Sequence, residues 1–391
     1  MGVPDCEPGI RLAGFEFRPV AATRFPPGTR RKIEARLSKL HGMEGLRFTL
    51  ERLVEGFEAV LREAPPLLRS AKAEAFVADE VLAGSGLAAT LAGIPFIHVA
   101  NALPVGQYDC VPPGVFGWSH WPGVFGRLRN RFGYAVLRFL LRRFRNAVLD
   151  AYHKAGVAID AADPNSAFST LARIAQIPAV FDFPNPQLPP WFHHAGPFHD
   201  RGARAEADFP WNRLTGEPLI YASMGTVQNG SEQVFRTIAK ACAGLGCQVA
   251  MSLGEHVAPG GIGALAGNVV AVNYAPQLEL LQRATLCITH AGMNTALESL
   301  SAGIPMVAIP VTNDQPGVAA RIRYTETGLV VPYKKLTAGR LRRAVTRVLE
   351  DAQYRSNALK LQTAIRQADG LNRAADLIEA ALGMPKPSAA S

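Results

Sequence analysis

Residues 274–321 read YAPQLELLQRATLCITHAGMNTALESLSAGIPMVAIPVTNDQPGVAAR, and their pattern identifies the fold class. The apolar run Leu286–Thr289 has the length and composition of a buried strand. A turn of small residues leads from it into the helical pattern of Asn294–Ala302, and Pro305–Ile309 then gives a second apolar run. Strand, helix and strand in this order predict a β-α-β unit with a parallel sheet.

The turn between this strand and helix has the residues of an anion site. Small residues such as Gly292 let a phosphate approach the free N–H groups at the positive end of the helix, and His290 adds a donor. Asn294 and Thr295 supply short side-chain donors, and Glu298 can accept the hydroxyls of a ribose one turn further on. The alternative is that Asn294 or Thr295 only caps the helix and that Glu298 is a solvated charge. The pattern as a whole suits a nucleotide diphosphate.

Further β-α units precede this one in the same domain. The additional strands and helices predicted here are Leu219–Ser223, Glu232–Gly244, Gln248–Leu253, Val269–Val272 and Leu278–Gln282. Ser223 and Thr226 flank a second turn at the end of the first of these strands and offer more hydroxyl and amide donors. Two such turns in one domain strengthen the prediction of a phosphate site.

The amino-terminal half shows a similar alternation of strands and helices. A helix is predicted over Arg30–Ser70, ended by its two prolines, Pro65 and Pro66, and it is followed by a β-α-β unit. This unit comprises Ala75–Ala78, Leu82–Ala92 and Ile94–Ala100. The proline-rich segment Asp182–Pro210 is interpreted as a connector between two domains.

We place the domain boundaries on this basis. Residues 1–195 form an acceptor-binding domain, 196–215 a linker, 216–365 a nucleotide-sugar-binding domain and 366–391 a terminal helix and tail.

Composition sets the broad class. A chain of 391 residues with 48% hydrophobic and 19% charged residues predicts two globular domains rather than a disordered or fibrous protein. It contains neither a long uninterrupted apolar stretch nor the pattern of a signal peptide at Met1. The five scattered cysteines lack C-x-x-C spacing, which favours a cytoplasmic protein without disulfides or zinc.

The net charge of +9 is concentrated in one region. Seven arginines lie between Arg127 and Arg145, interleaved with apolar residues and preceded by Trp118 and Trp121. We interpret Trp118–Arg145 as a peripheral contact with a membrane or as the entrance for a lipophilic substrate. The alternative is an ordinary amphipathic helix with solvated arginines, and nucleic-acid binding is disfavoured because no recognised binding module accompanies the charge.

The stretch Tyr274–Arg321 resembles the donor-binding signature of the family-1 UDP-glycosyltransferases, a family that includes zeaxanthin glucosyltransferases and bacterial macrolide glycosyltransferases. The resemblance extends more loosely over FVADE at Phe76–Glu80 and VANALP at Val99–Pro104. It implies an α/β protein of GT-B type, in which two Rossmann-like doubly wound domains face a cleft. A UDP-sugar is then the implied donor.

The resemblance also implies roles for individual residues. Tyr274 stands where the family has a tryptophan that stacks on uracil, and its phenol ring retains a π-face for stacking. Asp314 falls on a sugar-reading position, although it could instead cap a helix ahead of Pro316. Together, the residue pattern and the resemblance give a predicted donor-binding set. This set is Ser223, Thr226, Tyr274, Ala275, Gln277, His290, Gly292, Asn294, Thr295, Glu298, Asp314 and Gln315.

The catalytic base is the part of the site that the sequence does not supply. Family enzymes deprotonate the acceptor with a histidine on the first β-α loop and orient it with an aspartate, which falls on Asp79 here. The opening MGVPDCEPGIRLAG lacks an apolar strand and a glycine-rich turn, so the first two β-α units are expected to be absent. His98 is an alternative base, although a strand histidine among apolar residues is more often packed.

The predicted function is therefore transfer of a hexose, with glucose expected, from a UDP-sugar to a lipophilic hydroxyl such as that of a carotenoid. No D-x-D sequence occurs, and His193 and His194 lack clustered partners, so neither a metal nor another cofactor is expected. Alternatives are a macrolide or other natural-product glycosyltransferase, a truncated non-catalytic nucleotide-sugar-binding protein, or an epimerase. A dehydrogenase is disfavoured, because Gly84–Ala89 only imitates a dinucleotide fingerprint.

Overall fold

A computed structural model describes residues 1–37, 42–82, 84–199, 207–225, 232–254, 257 and 268–384. Two parallel β-sheets, each packed against helices, make up these ranges. The first sheet has the strand order β1-β2-β3-β4, so its strands progress in one direction. Those strands are β1 Phe76–Asp79, β2 Phe96–Ala100, β3 Arg173–Ala175 and β4 Phe192–His194.

Helices precede and connect these strands. They are α1 Glu7–Leu12, α2 Thr29–Leu37, α3 Gly42–Ser70, α4 Ser85–Ala92, α5 Val124–Leu140 and α6 Arg142–Lys154. Gly84 and Gly93 flank α4 with positive φ angles of 84° and 77°, so glycines let the chain enter and leave this short helix. Helix α4 packs against α3 and the sheet, and its residues Leu87 and Ala88 are fully buried there.

The second sheet has the strand order β10-β9-β8-β5-β6-β7. Its strands are β5 Leu219–Ser223, β6 Gln248–Ser252, β7 Val269–Val272, β8 Ala284–Thr289, β9 Met306–Ala308 and β10 Gly328–Val330. The order reverses direction between the adjacent strands β5 and β8. Ligands of open parallel sheets bind at such a switch point, beyond the carboxyl ends of the strands.

The helices of this half alternate with the strands and then continue to the end of the described chain. They are α7 Glu232–Cys242, α8 Gln277–Arg283, α9 Met293–Ser301, α10 Gln315–Tyr324, α11 Ala338–Glu350, α12 Ala352–Ala368 and α13 Gly370–Ala381. The last helix returns to the first sheet, since Ala374 shares a hydrophobic cluster with Ile97 and Ile174. A second cluster joins both halves, with Phe181 beside residues of the second sheet such as Tyr221.

Two sequence predictions need correction. The helix predicted over Arg30–Ser70 does not end at its two prolines, because α3 continues through Pro65 and Pro66. Burial of Ala64 and Leu68 on either side of the prolines holds this part of the helix against the rest of the domain despite the lost backbone hydrogen bonds.

The second correction concerns the proline-rich connector Asp182–Pro210, which contributes a strand, β4, to the first sheet. His193 and His194, which lie within the predicted connector, are therefore strand residues. Within the described ranges, no helix is both long enough and apolar enough to cross a bilayer.

Candidate functional site

A cavity of about 480 Å³ opens at the switch point between β5 and β8. The predicted donor-binding residues line it, except for Thr226, which lies outside the described residues. Those lining it are Ser223, Tyr274, Ala275, Gln277, His290, Gly292, Asn294, Thr295, Glu298, Asp314 and Gln315. The fold thus brings together two turns and the starts of three helices, α8, α9 and α10, that are separated in sequence.

The amino terminus of α9 faces this cavity without a side-chain cap. Gly292 occupies the N-cap position in an extended conformation, and as a glycine it has no side chain that could cap the first turn. The alternative that Asn294 or Thr295 caps the helix is therefore not supported, because neither occupies the cap position. Free first-turn N–H groups and two polar side chains remain at the positive end of a nine-residue helix.

His290 is packed between the two turns. A Cβ atom on Gly292 or Gly225 would collide with its ring, so both glycines make room for the imidazole. Burial lowers the pKa of His290 to about 4, against a smaller opposing effect of the Ser223 carbonyl. The ring is therefore neutral near pH 7 and carries one N–H. Its Nδ1 atom is buried and makes no hydrogen bond within the described part of the chain.

A hydrogen-bond network holds the carboxylate at the other end of the cavity. Gln277 Nε2 donates to Glu298 Oε2 at 2.5 Å, and Tyr221 donates its hydroxyl to Gln277 Oε1 at 2.9 Å. Glu298 is buried, so the alternative of a solvated surface charge is wrong. Carboxylate oxygens held in this way can accept a pair of vicinal hydroxyls.

The amide of Asn294 is oriented from the other half of the molecule. Gln176, buried on the loop after β3, donates through Nε2 to the backbone carbonyl of Asn101 and, at 2.8 Å, to Asn294 Oδ1. A carbonyl can only accept, so the atom that contacts it must be the amide nitrogen. Asn294 consequently presents Oδ1 to Gln176, which leaves its NH₂ group for a ligand.

Asp314 and Gln315 begin α10 at the cavity wall. Asp314 occupies the N-cap position without making a capping bond, and its Oδ2 accepts instead from the backbone N–H of Leu103 at 3.2 Å. Burial raises the pKa of Asp314. Gln315 Oε1 accepts from the N–H groups of Val311 and Thr312, which leaves its NH₂ group as a donor.

Asp79 lies at the end of β1 and outside the cavity lining. Its Oδ1 accepts from the Val81 N–H at 3.0 Å and its Oδ2 from Asn101 Nδ2 at 2.9 Å. Asn101 itself lines the cavity, so it connects Asp79 to the cavity wall. In the ranges that the structure describes, Asp79 forms no hydrogen bond with a histidine.

His98 is buried and its tautomer is fixed. The Ser169 N–H donates to Nδ1 at 3.1 Å, so Nε2 carries the proton and donates to Ser85 Oγ at 3.0 Å. Burial, with a smaller contribution from the charge of Arg173, lowers the pKa of His98 to about 4. Neither ring nitrogen has a free lone pair, so His98 is a packed residue that is not available as a base.

A second cavity, of about 410 Å³, lies in the first half of the chain. Apolar side chains of α6, including Phe144 and Val148, form one wall, and Ser85 and His98 contribute polar groups. Glu80, the residue after Asp79, also lines it and forms a buried ion pair with Arg173 at 2.6 Å. The cavity is thus largely apolar and begins next to the turn after β1.

The sequence did not indicate several residues at these cavities. Asn101 lines the first cavity from the first half of the chain, Gln176 of that half bonds Asn294, and Tyr221 supports Gln277 from within a strand. The VANALP segment was the available signal for Asn101, whereas nothing in the sequence around Gln176 distinguishes it. Among the described residues, no three His, Cys, Asp or Glu side chains are grouped so that they could hold a metal ion.

Comparisons with known proteins agree with this geometry. The family model described as UDP-glucoronosyl and UDP-glucosyl transferase matches residues 62–379. The zeaxanthin glucosyltransferase of Pantoea ananas is 29% identical over 373 residues, which cover 95% of this chain and 86% of that relative.

Solved structures are also similar to the chain. CalG4, the calicheamicin glycosyltransferase, has a TM-score of 0.73 at 22% identity and covers 98% of this chain and 90% of its own. The glycosyltransferase VinC in complex with dTDP has a TM-score of 0.63 at 19% identity, covering 97% of this chain and 90% of its own. The predicted GT-B fold is confirmed by these likenesses.

Proposed function

Because the chain belongs to the UDP-glucoronosyl and UDP-glucosyl transferase family, we propose that it transfers a hexose, with glucose expected, from a UDP-sugar to a hydroxyl group of a lipophilic acceptor with inversion. One observation carries the proposal. The uncapped amino terminus of α9 and the buried carboxylate of Glu298 lie in one cavity, spaced along a single helix. These are the two groups that a diphosphate and a ribose require.

The donor would extend along this helix. Its diphosphate would lie against the first turn of α9, with His290 and the Asn294 amide as further donors, and its ribose hydroxyls would bind Glu298. Tyr274, which is half exposed at the cavity edge, would stack on the base. The sugar would then reach Asp314 and Gln315 at the start of α10.

The proposed reaction is a direct displacement. The acceptor oxygen forms a bond to the anomeric carbon while the bond from that carbon to the diphosphate oxygen breaks, and the hydroxyl proton passes to a base. The charge that develops on departing UDP is stabilised by the α9 N–H groups and by the N–H of neutral His290. Asp79, which bonds Asn101 at the cavity wall, would orient a base rather than serve as one. Protein groups supply the stabilisation, so we expect no metal and no cofactor other than the UDP-sugar co-substrate.

The acceptor would bind in the second cavity. Its walls are mainly apolar, and its volume of about 410 Å³ is near the small end of the usual range for small-molecule sites. One ring or chain end of a long molecule such as a carotenoid fits this size, with the remainder outside. Such an acceptor partitions into a membrane, so the proposal includes a cytoplasmic enzyme with a peripheral membrane contact through Trp118–Arg145.

Titration calorimetry with UDP-glucose in the presence of a chelator tests the donor site. We expect binding without added metal, and we expect Glu298→Gln to weaken it by about 1.5 to 3 kcal/mol, as for a lost hydrogen bond to a charged group. Glu279→Gln, at an exposed position on α8, is the matched control. Binding that requires magnesium, or equal loss in both variants, would contradict the proposed site.

A non-catalytic nucleotide-sugar-binding protein is the second candidate. It is favoured by Asp79, whose oxygens are taken up by Val81 and Asn101 instead of a histidine. Mass spectrometry of acceptor mixtures incubated with UDP-glucose distinguishes the two. Transfer that is lost in Asp79→Asn while UDP-glucose affinity is kept supports the enzyme. Donor binding without transfer to any hydroxylated acceptor supports the binding protein.

A further inference from the structure

An exposed apolar ridge runs along α5. Six side chains form it, all between 53% and 73% exposed. They are Trp121, Val124, Phe125, Leu128, Phe132 and Phe139. At about 100° per residue, the five that belong to the helix fall within an arc of roughly 100°. The apolar side chains therefore form one continuous stripe and are not scattered singly over the surface.

The opposite side of α5 fixes the ridge in its outward orientation. Gly133 and Tyr134 are buried there, and Asn130 donates through Nδ2 to the Asp109 carbonyl at 2.9 Å. A Cβ on Gly133 would lie 2.8 Å from the Trp118 ring, so helix and indole are in close contact. Rotation of α5 to bury the ridge would break these contacts. Trp118 thus belongs to the support of the helix, whereas Trp121 extends the ridge.

Positive charge surrounds this ridge. Residues 118–145 contain seven arginines and no Asp or Glu. Asp109 pairs with Arg127 at 2.9 Å and with Arg131 at 2.7 Å. Four further arginines donate to neutral oxygens, so these contacts leave their charge uncompensated. They are Arg129 to the Ser119 carbonyl, Arg138 to Gln107, Arg142 to the Phe139 carbonyl and Arg145 to the Ala161 carbonyl.

We propose that the α5 ridge is a docking surface for an anionic lipid bilayer. Aromatic and aliphatic side chains on one face with arginines on its flanks are the pattern of a helix that lies in the bilayer interface. The apolar stems of the arginines can lie along the acyl boundary while their guanidinium groups contact lipid phosphates. A second copy of the chain is disfavoured as the occupant, because two-fold pairing of the ridges would bring the two arginine clusters together.

The inference deepens the membrane contact included in the proposed function, and it does not depend on the proposed transfer reaction. Vesicle binding requires only the surface, whereas transfer requires both cavities. If the proposed function also holds, docking places α6 and the acceptor cavity beside the bilayer, since Arg138 at the end of α5 and Leu141 before α6 both line that cavity.

Co-sedimentation with vesicles tests this surface. We expect the protein to bind phosphatidylcholine vesicles containing phosphatidylglycerol, to bind pure phosphatidylcholine far less, and to be released by high salt. Phe125→Ser combined with Phe132→Ser should lower the partition coefficient by about tenfold or more, since two apolar anchors are lost. Phe15→Ser, at a phenylalanine that is 70% exposed outside the ridge, is the matched control.

A charge variant separates the two parts of the surface. Replacement of Arg138, Arg142, Arg143 and Arg145 by Gln should remove most of the preference for phosphatidylglycerol, because these basic residues supply the attraction to an anionic surface. Equal sedimentation of wild type and both variants would overturn the proposal. So would light scattering that shows a dimer abolished by the Phe125→Ser and Phe132→Ser changes, because a second copy would then cover the ridge.

Discussion

At the scale of single residues, side chains of the proposed donor cavity are oriented by backbone groups that can act only as hydrogen-bond donors or only as acceptors. Backbone N–H groups only donate and carbonyls only accept, so the contacts of Gln315 and Gln176 fix the orientation of both amides. The effect passes from Gln176 to Asn294, whose NH₂ group is left for the ligand. A residue in the first half of the chain thereby determines which end of an amide in the second half faces the cavity.

This relay predicts the result of Gln176→Glu. A carboxylate cannot donate, so Asn294 would turn its NH₂ group toward residue 176 and present its oxygen to the diphosphate. We expect UDP-glucose affinity to fall by about tenfold, the cost of replacing one favourable hydrogen bond to a charged group. Gln187→Glu, a change at an exposed glutamine in the same half of the chain, is the control. Unchanged affinity in calorimetry would show that Asn294 is oriented by the ligand alone.

His290 gives a second prediction at this scale. His290→Ala should weaken UDP-glucose binding by about 1.5 to 3 kcal/mol if its N–H contacts the diphosphate. Because the pKa of His290 is lowered to about 4, the wild-type affinity should stay level as the pH crosses the usual histidine range.

UDP-glucose suits this measurement because both its phosphates are esterified and do not titrate in that range. Calorimetry at several pH values provides the data. An affinity that rises steeply on mild acidification would mean that the imidazolium, and not the neutral ring, binds the donor.

At the scale of helices and strands, the sequence predicted what is local and missed what depends on packing. The strands Leu219–Ser223 and Val269–Val272 have the predicted bounds, because each is a short apolar run. The three-residue strand β4 was missed since it lies in a proline-rich segment, and its pairing with β3 is a tertiary contact. The end of α3 was also misplaced, because packing of Ala64 and Leu68 keeps the helix continuous through its prolines.

The donor site divides in the same way. His290 and Glu298 belong to one strand-turn-helix pattern, so the local sequence suffices to assign both to a single site. Gln176 lies 118 residues from Asn294, and only the packing of the two sheets brings them into contact. No pattern within either segment could have indicated that hydrogen bond.

Helix α10 supports a prediction about the contact between the two halves. A Cβ at Gly317 would lie 2.6 Å from the carbonyl oxygen of Gly114 and 2.7 Å from its Cα, so the helix packs directly on the backbone of the 3-10 turn Gly114–Phe116. Gly317→Ala should lower the free energy of unfolding by about 1 to 3 kcal/mol. It should also weaken donor binding, since Asp314 contacts Leu103 from the same end of α10.

Urea unfolding and calorimetry measure these two effects. The matched control is Gly339→Ala in the exposed first turn of α11, where the nearest atom outside the helix backbone is 3.9 Å from the new Cβ. There the same substitution should leave stability unchanged or raise it by about 0.5 to 1 kcal/mol, as expected from helix propensity. Equal effects at Gly317 and Gly339 would mean that the two halves do not rely on this close packing.

At the scale of the whole molecule, polar groups tie the two halves together at several points. Arg321 on α10 pairs with Asp182, ahead of β4, at 2.6 Å, and both side chains are almost completely shielded from solvent. Its guanidinium also lies 4.4 Å from the centroid of the Phe183 ring. A buried pair of this kind is costly to break, because the partner is left charged and desolvated. If the two halves of the molecule separated, these contacts would therefore have to be replaced by contacts with water.

Acid should destabilise the whole molecule through its buried histidines. His98 and His290 both have a pKa lowered to about 4, chiefly by burial, against about 6.5 in the unfolded chain. The unfolded state therefore binds more protons between these values, so stability is full above pH 6.5 and is lost as the pH falls toward 4. As the pH falls from about 8 to about 5, the greater proton binding of each histidine in the unfolded state should lower the free energy of unfolding by about 2 kcal/mol. Carboxylates with lowered pKa, such as Asp109, act only at lower pH.

Urea unfolding at a series of pH values tests this. His98→Gln keeps an acceptor for the Ser169 N–H but cannot be protonated. The variant should therefore lose roughly 2 kcal/mol less unfolding free energy than the wild type over the same fall in pH. The raised pKa of Asp314 acts in the opposite direction and is common to both proteins. His153→Gln, at an exposed position on α6, controls for the substitution itself. If His98→Gln retains the full acid sensitivity, the cost of protonating this buried imidazole does not limit stability, and the loss must come from other groups such as His290.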